Sequence, residues 1–68
     1  MKISKQGSKI KIVWDPNDSE DIEIAREFFS NQTRQGWLAA VRHAEYHRIL
    51  EFNSEYGEIW FIPLSEGG

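Results

Sequence analysis

The segment Glu58-Ile59-Trp60-Phe61-Ile62-Pro63 limits what this chain can become more than any other. Successive side chains of a strand alternate sides, so this apolar run points to both faces of a sheet. Such a strand must be central, with one face against a second layer and the other partly covered. Pro63 ends the pairing, because it has no amide hydrogen for the ladder. The whole arrangement has to come from 68 residues, which leaves room for one core and no second domain. With no cysteine, the chain has no disulfide, thiolate metal site or thiol nucleophile. Dense packing or a partner must supply the stability. Three Trp, four Phe and two Tyr favour packing, since each aromatic can bury ~150–250 Å².

The second layer is a helix predicted from about Ser19 to Gln35. Asn17, Asp18 and Ser19 are all suitable N-caps, and Glu20, Asp21 and Glu23 suit the positive end of a helix dipole. Ile22, Ala25, Phe28, Phe29 and Gln32 follow helical spacing, with Ile24 beside them. Gly36 fits the left-handed position just past the end. Before the helix, Ile10, Ile12 and Trp14 alternate with Lys9, Lys11 and Val13 as a half-buried strand does. Residues 2–5 pair with it across a turn containing Gly7, although Ile3 is their only convincing apolar residue; without that pairing the sheet has four strands. After the helix, residues 37–43 form a strand with Trp37, Ala39 and Val41 on one face, and Ala44-Glu45 a turn. Tyr46, Arg48, Leu50 and Phe52 share a face of the next strand, 53–57 is a loop, and 58–64 is the last strand. The expected core is Trp14, Phe28, Phe29, Leu50, Phe52, Ile59 and Phe61. The fold class is therefore α+β, one helix on a mixed four- to five-stranded sheet. Residues 1–64 make the domain and 65–68 a flexible tail.

Charge runs in blocks along this framework. Residues 1–14 carry +4, 15–31 carry −5, 32–48 carry +2 and 49–68 carry −4, for a net charge of −3. That balance argues against general nucleic-acid binding. No segment has the ~20 apolar residues of a membrane span, and the start has no apolar run of a secretory signal. A cytoplasmic protein is expected.

The tail carries the most specific pattern. Gly67-Gly68 has no side chains, so it can thread a narrow channel and present a carboxylate to a nucleotide's α-phosphate. The run from Glu58 through Pro63 to Gly67-Gly68 resembles the end of the ubiquitin-like sulfur carriers, such as the molybdopterin-synthase small subunit and the thiamine-pathway carrier. The order of elements is similar to theirs as well. The resemblance implies a β-grasp, ubiquitin-like fold. It also implies a non-enzymatic carrier or modifier whose terminus is adenylated by a ubiquitin-activating-type enzyme. Gly68 would then be the carrier residue and Gly67 its necessary neighbour. No cofactor is implied for the chain itself.

A second constellation lies outside the tail. Arg34, Trp37, Arg42, His43, Tyr46, His47 and Arg48 concentrate basic and aromatic residues in one stretch. Trp, Tyr and Arg are the residue types enriched in protein interfaces. Arg42, Tyr46 and Arg48, with Trp60 on the last strand, form a candidate partner-binding surface of an interaction module with no tail chemistry. Trp60 and Ile62, if uncovered, would also suit a homodimer. His43 and His47, with Glu45 and Glu51 nearby, have too few compelled ligands for structural zinc, which takes four. No nucleophile and base can be paired by spacing, so an enzyme is not expected.

Overall fold

The structure, a computed structural model, describes residues 1–64. The expected tail, with Gly67 and Gly68, lies outside the described residues. The elements are β1 (Lys2–Gln6), β2 (Lys9–Val13), α1 (Ser19–Arg34), β3 (Leu38–His43), β4 (Glu45–Arg48) and β5 (Glu58–Ile62). The fold is α+β: one helix on a five-stranded sheet of order β1-β2-β5-β3-β4.

Each strand pairing is antiparallel, which corrects the mixed sheet expected above. The last strand is central, as its two apolar faces require. Its neighbour from the first hairpin is β2, not β1. Composition decides that choice, since β2 brings Ile10 and Ile12 to the interior. β1 brings only Ile3, which stays 54% exposed at the sheet's edge. Because β2 and β3 are both antiparallel to β5, they run parallel to each other with β5 between them. The helix makes the crossover that such a pair needs.

The helix ends are set by local chemistry. Asp18 is the N-cap, its carboxylate accepting hydrogen bonds from the amides of Glu20 at 3.0 Å and Asp21 at 3.4 Å. At the other end Gly36 has φ 101°. Its amide reaches the Thr33 carbonyl at 3.1 Å and that of Trp37 reaches Gln32 at 3.0 Å. This pair of bonds is the Schellman stop, and it turns the chain directly into β3.

The core lies between helix and sheet and contains Ile12, Trp14, Ala25, Phe29, Ala39, Ile59 and Phe61. Aromatic edges organise it. Phe28 and Phe29 meet Phe61 at centroid distances of 5.5 and 6.2 Å, while Phe52 packs on Trp14 at 5.2 Å and on Phe29 at 5.7 Å. The Trp14 indole N–H donates to the Ser54 carbonyl at 3.0 Å and the Trp14 amide to that of Gly57 at 3.0 Å, tying the 53–57 loop to the end of β2.

One expected stretch folds differently. β4 ends at Arg48 and does not run on to Phe52. The Ile49 amide still pairs with the Ala39 carbonyl at 2.9 Å, and Ile49 packs against the core. The chain then bends so that Phe52 also reaches the core, leaving Leu50 77% exposed. Leu50 is therefore not a core residue: the face shared with Tyr46 and Arg48 is the open one, so alternation brings Ile49 inward, and Phe52 alone departs from it.

Candidate docking surface

The helix covers only one face of the sheet, and the other face is built by the same alternation. Ile12, Ile59, Phe61 and Ala39 point to the helix, so Lys11, Trp60 and Ala40 point away from it. Register aligns Lys11, Trp60, Ala40 and Arg48 in one row across β2, β5, β3 and β4. Arg42 and Tyr46 oppose each other on β3 and β4. Their alignment depends on Ala44, the single residue between the paired His43 and Glu45, which adopts φ 70°.

Trp60 is the centre of this face. Ala40 opposite it is small, and Tyr46 meets the indole edge-on at 5.5 Å. The Lys11 ammonium lies 5.5 Å and the Arg42 guanidinium 5.8 Å from the Trp60 ring centroid. Arg42 also lies 5.4 Å from the Tyr46 ring, and Lys9 reaches the same ring at 5.5 Å. Glu58 accepts the Trp60 indole N–H at 2.9 Å. Aliphatic stems and a tyrosine thus bury an indole that no helix covers, leaving it 6% exposed.

The candidate residues Arg42, Tyr46 and Trp60 are therefore in contact, and Arg48 lies in the same row. The expectation that Trp60 would be partly uncovered is corrected, because the cations close over it. Lys9 and Lys11 were missed as site residues. Their strand is separated from Arg42 by more than thirty residues in sequence, and only the β2–β5 pairing brings them together. The signal was nonetheless present in the alternation of Lys9 and Lys11 with Ile10 and Ile12.

The electrostatics are one-sided. Lys2, Lys9, Lys11, Arg42 and Arg48, five of the eight basic residues, lie on the open face. The ion pairs among the described residues are Met1–Asp21 and Glu23–Arg26, both in the helix layer. The carboxyl of Asp21 is held below its ordinary value, first by the hydrogen bond from the Met1 ammonium and then by that from the Asp15 amide. On the open face the cations have aromatic rings for neighbours, with Glu58 the acid at Trp60, while Glu20, Glu23 and Glu27 occupy the helix.

Other candidates are less developed. His43 and His47 stand with ring centroids 6.3 Å apart. Among the described residues no group of three His, Cys, Asp or Glu is placed to hold a metal ion. No polar or charged residue among them is buried. Trp37, Leu38, Arg48, Leu50 and Leu64 line a shallow groove of about 410 Å³ where the chain leaves β5. No described helix is long and apolar enough to cross a membrane. Comparison with protein-family models, curated proteins and solved structures finds no match.

Proposed function

We propose that this chain is a small, non-enzymatic interaction module that docks on a protein partner through the open face of its sheet. The observation that carries the reading is the Trp60 cluster. A central-strand indole is covered by Tyr46, Lys11 and Arg42 in place of a second layer. Arg, Tyr and Trp are the side chains that concentrate binding energy at interfaces. Long cationic stems can also rearrange around a partner at little cost to the fold. The test is Arg42→Ala combined with Arg48→Ala. Both residues are exposed, so the variant should keep its folded spectrum and lose a partner that co-purifies with the unaltered chain. Retention of that partner would overturn the reading.

A second reading, of a cytoplasmic ubiquitin-like carrier or modifier, is favoured by one specific observation. The central strand β5 is the last element among the described residues, and the sequence runs from it through Pro63 toward Gly67-Gly68. In this reading the fold is of β-grasp type, with an all-antiparallel sheet as its departure from the mixed one. A partner enzyme adenylates the Gly68 carboxylate. Intact-mass measurement on protein from its own host decides the matter. Exchange of one terminal oxygen for sulfur, or a conjugate through Gly68, supports it. An unmodified terminus, with the partner held equally well after Gly68 is deleted, rules it out.

A further inference from the structure

We infer that the occupant of the open face is an acidic, extended segment of a partner protein, with carboxylates on alternate residues. This rests on the docking reading above and adds the chemistry of what docks. Three observations on the face select that occupant.

The first is charge complementarity. Lys9, Lys11 and Arg42 crowd around two rings, Arg48 lies in the adjoining row, and none is ion-paired among the described residues. Glu58 lies on this face too, engaged by the Trp60 indole N–H, so a partner's carboxylates would meet four cations beside a single neighbouring acid. The acidic helix lies on the other side of the sheet, so an anionic partner is attracted to one face and repelled from the other.

Spacing is the second. Lys11 on β2 and Arg48 on β4 share a row, three strand spacings apart, or about 14 Å. An extended chain places residues i, i+2 and i+4 on one side across about 13 Å. Carboxylates at those positions would reach from Lys11, past Arg42 and over Ala40, to Arg48. A compact run of acids on a helix would concentrate its charge at one end of the row.

The state of the rings is the third, and it separates protein from nucleic acid. Single strands bind by stacking bases on free aromatic faces. Trp60 is 6% exposed and already has Lys11 and Arg42 over its ring, while Tyr46 has Lys9 and Arg42. Base stacking would have to displace the same cations that neutralise phosphate. Carboxylates use those cations where they stand.

The experiment is titration of the ¹⁵N-labelled chain with three probes, followed by amide and indole N–H shifts. The probes are a peptide alternating Glu and Ser, its Gln-for-Glu counterpart, and a thymidine oligonucleotide of equal length. The expected result is saturable shifts from the Glu peptide, centred on Lys11, Arg42, Tyr46, Arg48 and the Trp60 indole. The Gln peptide should leave these signals unmoved. Affinity should fall about 10-fold or more as salt rises from about 50 to about 300 mM. A Lys11→Gln, Arg42→Gln variant, which keeps most of each stem, should retain the spectrum of the fold and weaken binding by a similar factor. Stronger binding of the oligonucleotide at these residues would overturn the inference in favour of nucleic acid. Shifts mapping elsewhere, or none at millimolar Glu peptide, would overturn it outright. If a host partner is lost on Arg42→Ala, Arg48→Ala but the Glu peptide does not bind, docking stands and the acidic occupant falls.

Discussion

Two faces of one strand are buried here by different means. On one side of β5, Ile59 and Phe61 are sealed by the rings and aliphatic groups of a helix, and both are fully inaccessible. On the other, Trp60 is sealed by Lys11, Arg42 and Tyr46. The first closure removes apolar surface permanently and supplies stability at about 25 cal/mol per Å². The second consists of side chains whose charged ends remain in water, so it can be reopened without unfolding. In so small a domain, one side of the sheet is therefore closed by a packed layer and the other by side chains alone.

The largest effect that would break this comparison is on the sealed side. Phe61→Ala removes a ring packed on Phe28 and Phe29 at a fully buried site. Truncation of a core aromatic costs about 3–5 kcal/mol. A domain of this length has a total stability of roughly 3–10 kcal/mol. Circular dichroism with urea titration should find Phe61→Ala largely unfolded, or with a midpoint near zero denaturant. The corresponding change on the open side, Trp60→Ala, should cost less than Phe61→Ala, because cation stems and not a packed layer lose their contacts. That variant should stay folded and lose the salt-dependent binding. Equal destabilisation by the two changes would show that the open face is a second core, with no spare capacity for docking.

This asymmetry was only half legible in the sequence. The central place of β5 followed from Ile59-Trp60-Phe61-Ile62, which leaves no polar face. The helix bounds followed from Asp18 and Gly36, whose chemistry acts within a few residues. Arg42, Tyr46 and Arg48 were identified because they lie close together along the chain. Lys9 and Lys11 were not, because adjacency across a sheet is set by strand order, and the choice of β2 over β1 beside β5 is a tertiary outcome. The same limit accounts for Leu50 and Phe52. The bend after Ile49 depends on Phe52 finding Trp14 and Phe29, contacts that no local alternation encodes. The burial of Trp60 was hidden for a related reason, since lysine and arginine read as exposed residues until their stems are seen against a ring.

The smallest expected effect sharpens the comparison through charge. Asp21 is the acid of the helix layer that is held in place, by the Met1 ammonium first and by the Asp15 amide second. Both favour the ionised form, so the carboxyl titrates lower in the folded chain than in the unfolded one. The folded state consequently binds this proton less readily. The stability that results is present in full above the unfolded value, near pH ~3.9. It is lost as pH falls through the lower, folded value. Asp21→Asn should therefore lower the urea midpoint at pH ~7, with the gap to the unaltered chain closing as pH falls below ~4. Arg42 has no carboxylate partner among the described residues. Arg42→Gln should thus shift the midpoint by the same small amount at neutral and acid pH. If its effect instead shrank in acid as that of Asp21→Asn does, Arg42 would be paired with a carboxylate in the folded chain, and an acid of the chain itself, such as Glu58 beside Trp60, would already fill the place inferred for a partner.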